Sequence, residues 1–177
     1  REAARLKELL VVSPTGLKAA RRLQRQWGIP IRAELPPAFI YEAFSAVLSR
    51  LAALLQDGQP REVLIVHQQI LANGLRRAIC QRFPALPAAA VTVGSFFALD
   101  RALQREGDLH FRGEQDFHAY LQAHPDAIVI GDALLARAVP EPFGGTLLDL
   151  PHFALSGRKA PMHPSRTLEY AKNSISN

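Results

Sequence analysis

The residues best equipped for chemistry stand just after short apolar runs, where a strand would hand the chain to a helix. Ser13-Pro14-Thr15-Gly16, with Lys18 close behind, follows the run Leu9 to Val12. Backbone N–H groups, a hydroxyl and a helix dipole converge at such a turn, which suits a phosphate or carboxylate. Plain helix capping by Thr15 is the competing reading. It is favoured here because neither G-x-G-x-x-G nor G-x-x-x-x-G-K-[ST] occurs, so a standard dinucleotide or P-loop site is not expected. His67, Gln68 and Gln69 follow Val63 to Val66, Gly94 and Ser95 follow Ala90 to Val93, Gly131 and Asp132 follow Ala127 to Ile130, and His152 follows Thr146 to Leu150. His67, His152 and Asp132 have the side chains of metal ligands or of an acid–base group. A histidine at a strand end is more often a satisfied structural residue, so no metal site is expected. Ser95, His67 and Asp132 can also be drawn as a hydrolytic triad, but the nucleophile-elbow pattern G-x-S-x-G is absent.

What must position these residues is an alternation of strands and helices. After Leu9 to Val12, the residues Ala19, Ala20, Leu23 and Trp27 recur at helical spacing until Gly28, and Ile29-Pro30-Ile31 begins an extended segment. Pro36-Pro37 introduces a long amphipathic helix with Ile40, Phe44, Val47, Leu51 and Leu54 on one stripe, ending near Asp57-Gly58. Val63 to Val66 is a strand, and Leu71, Leu75, Ala78, Ile79 and Arg82 mark a helix that stops before Pro84. Further strands are expected at Ala90 to Val93, Ala127 to Ile130 and Thr146 to Leu150. Between them fall a weak helix through Leu99 and Leu103, a polar stretch at Gly107 to Gly113, a helix with Phe117, Tyr120 and Leu121, and a short helix at Leu134 to Ala138. A polar tail from Ser156 leads to a final helix near Pro164-Ser165, packing on this domain or a missing one.

Strands that are apolar throughout require a parallel sheet covered on both faces. The expected fold is an open, doubly wound, mainly parallel sheet flanked by helices: a Rossmann-like, three-layer α/β/α domain over residues 1–155, followed by the tail 156–177. In such sheets ligands bind at the carboxyl ends of the strands, where the strand order reverses. That rule gathers the candidates above into one crevice.

With 177 residues, 48% of them apolar, the chain can bury one sizeable core. Its longest apolar runs fall far short of the roughly 18 residues a membrane span needs. The opening Arg1-Glu2-Ala3-Ala4-Arg5 does not read as a secretory signal, and a lone cysteine, Cys80, fits a reducing compartment, so a cytoplasmic chain is expected. A net charge of +5 is spread without a dense basic run, which disfavours nucleic acid. Lys18, Arg21, Arg22 and Arg25 share a helix face, most simply a solvated one.

Several segments, in their order, resemble the C-terminal third of a nitrogenase component 1-type oxidoreductase subunit. Leu10-Val11-Val12-Ser13-Pro14-Thr15-Gly16, with Leu23 and Trp27-Gly28-Ile29-Pro30, is similar to that family's strand, helix and aromatic-Gly-Ile-Pro sequence. Glu62-Val63-Leu64-Ile65-Val66-His67 with the helix around Leu75 resembles the next strand and helix. Pro125-Asp126-Ala127-Ile128-Val129-Ile130-Gly131 and Leu150-Pro151-His152 resemble its Pro-Asp strand and its closing strand. The resemblance implies repeated Rossmann-like domains, pairing with a homologous subunit or a second copy, and electrons from an ATP-dependent iron–sulfur reductase. It also implies a metal cluster or tetrapyrrole held between domains of the parent protein.

One departure limits what carries over: Val12 and Ser13 stand where the family's catalytic subunit has a cluster-ligating cysteine. Cys80 alone could not hold an iron–sulfur cluster, so no cofactor is expected in this chain itself. The expectation is a substrate- or cofactor-facing domain of a reductase or assembly scaffold, inactive alone. A stand-alone anion-binding module and a hydrolase are the alternatives.

Overall fold

The structure, a computed structural model, describes residues 6–56 and 61–157. The expected helix end at Asp57-Gly58 and the tail helix near Pro164 lie outside them. Strand β1 (Leu9–Val11) and helix α1 (Pro14–Trp27) lead to β2 (Ile31–Ala33) and α2 (Pro37–Leu54). Then come β3 (Val63–Val66), α3 (Gln69–Arg82), β4 (Val91–Ser95), β5 (Leu109–His110), α4 (Glu114–Ala123), β6 (Ile128–Gly131), β7 (Thr146–Asp149) and the short α5 (Phe153–Ser156).

The boundaries follow local chemistry. Proline at the first turn of α1 forfeits an N–H that would have no helical partner, and Gly28, at φ 68°, ends the helix with its N–H on the Gln24 carbonyl. The helix α4 starts at Gly113 with Glu114 and Asp116 in its first turn, where the dipole favours negative charge.

Five strands form one parallel sheet in the order β5-β4-β3-β6-β7. The chain moves outward from β3 to β5, returns to β6 beside β3, and continues to β7. The order therefore reverses between β3 and β6. Alternate strand residues face opposite layers: Val63, Ile65, Val91, Val93, Ile128 and Ile130 join one core with Phe44, Leu51, Leu75 and Ile79 of α2 and α3. Leu64, Val66 and Val129 join the other with Phe117 and Leu121 of α4. This is a Rossmann-like three-layer α/β/α fold. All four residues of β3, and all four of β6, are buried, as strands covered on both faces must be.

Four expectations need correction. The first two strands do not join the main sheet; β1 and β2 pair with each other in a separate two-stranded parallel sheet. The helix expected through Leu99 and Leu103 is one 3-10 turn, Arg101–Leu103, capped by the Asp100 carboxylate on the Ala102 N–H. The polar stretch Gly107 to Gly113 contains β5, a two-residue strand with no apolar run to announce it. Long-range bonds create it: Phe111 N–H donates to Ser95 O at 2.9 Å, and buried Asp108 pairs with buried Arg76 and accepts the Val93 N–H. The short helix at Leu134 to Ala138 is likewise a 3-10 helix, Ala133–Ala138. Cys80 is half-buried against the first core. No helix among the described residues is long and apolar enough to cross a membrane.

Candidate functional site at the strand ends

The reversal of strand order brings the carboxyl ends of β3 and β6 side by side, with Val66 in register with both Gly94 and Gly131. His67 continues β3 by donating its N–H to Gly94 O. Asp132 continues β6, and the chain leaving β7 returns through Leu150, whose N–H donates to Gly131 O at 2.7 Å, to Pro151 and His152. His67, Gly94, Ser95, Gly131, Asp132 and His152 therefore stand at the carboxyl ends of neighbouring strands, although 85 residues of sequence separate the two histidines.

The imidazoles of His67 and His152 lie with ring centroids 4.2 Å apart, and both residues are buried. Phe97 stacks on His152 at 5.3 Å with a 17° interplanar angle and is itself 44% exposed. The result is a short ladder of rings from the interior to the surface. The hydrogen bonds assign the tautomers. His67 Nδ1 accepts the Gln68 N–H at 2.9 Å, so its proton sits on Nε2, 3.2 Å from the Pro151 carbonyl. His152 Nδ1 accepts the Ala154 N–H at 3.2 Å. Burial, and then the neighbouring imidazole of His152, push the His67 pKa down to about 4, against the pull of Pro151 O and Asp132. Burial also lowers His152, opposed by Asp132. Both rings are therefore neutral near neutral pH.

Asp132 is fully buried. Its carboxylate accepts the Leu134 N–H at 3.0 Å and the His152 N–H at 2.7 Å, tying the end of β6 to the segment after β7. Ser95 Oγ accepts the Phe97 N–H at 3.1 Å. A hydrolytic triad needs a base with an open lone pair facing the hydroxyl. His67 has none, because Gln68 N–H occupies its Nδ1 and its Nε2 carries the proton. The same occupancy disqualifies His67 as a metal ligand in this conformation. Among the described residues no group of three or more His, Cys, Asp or Glu side chains is arranged to hold a metal ion.

Other candidates have structural duties. Gln68 caps α3 by accepting the Ile70 N–H, and buried Gln69 holds the Asp100 backbone at both its N–H and its carbonyl. Asp100 also binds Arg21 of α1, at 2.6 Å, so one residue of the expected solvated face is an anchor. The two strand-end glycines permit close packing: a Cβ on Gly94 would lie 2.5 Å from Phe111 Cε2, and one on Gly131 would lie 2.6 Å from Leu135 Cδ1. Ser13, Thr15, Gly16 and Lys18 belong to the other sheet, where β1 hands over to α1. There Ser13 is the N-cap residue, in place of the expected Thr15, and no side chain caps the helix. The two hydroxyls bond each other at 2.9 Å.

Sequence reasoning missed Phe97, the Pro151 carbonyl and Asp100. The Phe96-Phe97 pair directly beyond a strand-end serine was the available signal for the first. Pro151 O is a backbone atom, and no side-chain pattern points to it.

No protein-family model matches the chain, and no curated protein matches it. Among solved structures it is similar to O-ureido-L-serine synthase, with 16% sequence identity and a TM-score of 0.33 over 89% of this chain. The chain spans 62% of that protein's length. A likeness at this level carries no argument about activity.

Proposed function

We propose that this chain is the substrate- or cofactor-facing Rossmann-like domain of an oxidoreductase, or related cofactor-assembly scaffold, of the nitrogenase component 1 type. In this reading it supplies one wall of a site shared with other domains and is not catalytic alone. The observation that carries the reading is the state of the strand-end cluster of His67, Asp132, His152 and Phe97. Its ring ladder reaches the surface at Phe97, and behind it both ring nitrogens of His67, Nδ1 of His152 and the Asp132 carboxylate are bound to the chain itself. Such a wall offers shape, apolar faces and neutral imidazoles, and leaves the reacting groups to be brought by whatever faces it. The ordered sequence resemblance supports the same reading.

The donor set does not fit a metal cluster. Cys80 is the chain's single cysteine, lies in α3 and is half-buried, and one thiolate cannot hold an iron–sulfur cluster. The reading also expects a parent protein with a paired subunit and an ATP-dependent iron–sulfur reductase as electron donor.

The test is reconstitution. The chain, incubated anaerobically with iron and sulfide and then desalted, is expected to remain colourless and to lack reductase activity. A stoichiometric iron–sulfur absorption spectrum from this chain alone would overturn the proposal.

A further inference from the structure

The segment that follows β7 closes over the carboxyl ends of β3 and β6, and titratable side chains fasten it there. Pro151 O faces His67 Nε2 at 3.2 Å, the His152 N–H donates to the Asp132 carboxylate at 2.7 Å, and the His152 ring lies against that of His67. Through these contacts the segment helps to bury His67, 5% exposed, and Asp132, 0% exposed. Further along, Leu155 packs against the second core and donates its N–H to His152 O. Past Leu150 the segment belongs to no sheet, and α5 is a single turn, too short to hold itself.

Taking up a proton in place costs each imidazole a hydrogen bond. His67 Nδ1 accepts the Gln68 N–H, and His152 Nδ1 accepts the Ala154 N–H, so a proton on either nitrogen sets one donor against another. His67 also stands at the N-terminus of the 14-residue α3, where the helix dipole opposes positive charge, and a second imidazole lies 4.2 Å away. The carboxylate facing the pair is Asp132 at the end of β6, which accepts the Leu134 and His152 N–H groups. Asp149, at the end of β7, is turned to the Ala133 N–H. The neighbouring ends of α3 and β4 contribute Gln68, Gln69, Ser95 and Phe97, which carry no charge.

We infer that residues 151–156 form an acid-released latch: protonation of the paired imidazoles detaches them from the strand ends and uncovers His67 and Asp132, while the sheet stays folded. Detachment lets water reach both rings and relieves the two accepting nitrogens, so the open form binds protons that the closed form refuses. Most of the drive comes from His67, whose pKa, held at about 4 by burial and then by His152, returns toward the ordinary 6.5 once the segment leaves. His152, lowered by its own burial, acts in the same sense. Both shifts favour opening as the pH falls. β3 and β6 carry no titratable side chain and are buried throughout, so acid has no comparable hold on the centre of the sheet. The latch is independent of whichever domain or cofactor faces the strand ends.

The test is residue-resolved amide hydrogen exchange of the chain at pH 8 and 5, with each rate divided by the intrinsic rate at that pH. At both values the His152 and Leu155 amides should open more readily than those of Ile65 and Ile130 in the central strands, as a locally released unit does. From pH 8 to 5 their opening equilibrium should rise roughly 10- to 30-fold, the upper figure marking full recovery of the ordinary His67 pKa in the open form. In His67→Gln the rise should shrink by the same factor; if that variant does not fold, the wild-type measurement decides alone. Opening of His152 and Leu155 in step with Ile65 and Ile130 would overturn the inference, because the segment would then leave only on global unfolding. So would local opening that is independent of pH, or a rise that survives intact in His67→Gln.

Discussion

Lowering the pH should destabilise this protein through His67. The unfolded chain offers an imidazole of ordinary pKa 6.5, whereas the folded one is held at about 4 by burial against His152. Below pH 6.5 the unfolded state therefore binds a proton that the folded state refuses, and stability falls with pH until both are protonated below about 4. With each pKa step worth 1.36 kcal/mol, the full loss is about 3 kcal/mol, and roughly 2 kcal/mol of it is already gone at pH 5. His152 is shifted the same way and adds to the slope. The lowered carboxylates, Asp100 beside Arg21 and Asp116 beside Arg112, act below their ordinary 3.8 and stay out of this window. The assay is urea unfolding at pH 8, 6.5 and 5 for the wild type and for His67→Gln. The variant starts less stable, because the Gln68 N–H and the Pro151 carbonyl lose their partner. Its stability should nevertheless decline less between pH 8 and 5, by about 2 kcal/mol. Parallel pH profiles for the two proteins would refute the argument, since they would mean that His67 is not a buried neutral imidazole.

Two further outcomes follow from the core. Asp108→Asn should cost about 3–5 kcal/mol in urea unfolding, because it leaves the Arg76 guanidinium buried without its counter-charge and weakens the pinning of β5 to β4; a loss below about 1 kcal/mol would show that the pair is not buried as described. Gly131→Ala places a Cβ 2.6 Å from Leu135 Cδ1 and 3.1 Å from the Val66 carbonyl, so it should destabilise by about 1–3 kcal/mol with no change in the slope of unfolding against urea; an unchanged midpoint would contradict the packing.

Much of the main sheet was legible in the sequence. Val63 to Val66 and Ala127 to Ile130 are continuous apolar runs bounded by breakers, and a run of that length has to be a strand covered on both faces. Gly28 marked a helix end because the αL conformation there suits glycine. The strand-end rule then named His67, Asp132 and His152 without knowledge of any contact, because loops at the carboxyl ends of a doubly wound sheet share one side of it.

What remained hidden depends on partners distant in sequence. β5 exists because Ser95, Val93 and Arg76 offer bonds to residues 108–111, and a two-residue strand carries no period of its own. The isolation of β1 and β2 from the main sheet is a matter of which edges meet, and local pattern does not encode pairing. Nor could residue type say whether His67 is a base, a ligand or a structural ring. That depends on where its two nitrogens point, and only the folded chain places the Gln68 N–H on one and the Pro151 carbonyl beside the other. The sequence by itself determined which residues stand at the strand ends; the tertiary structure decided which of their polar atoms the protein had already used.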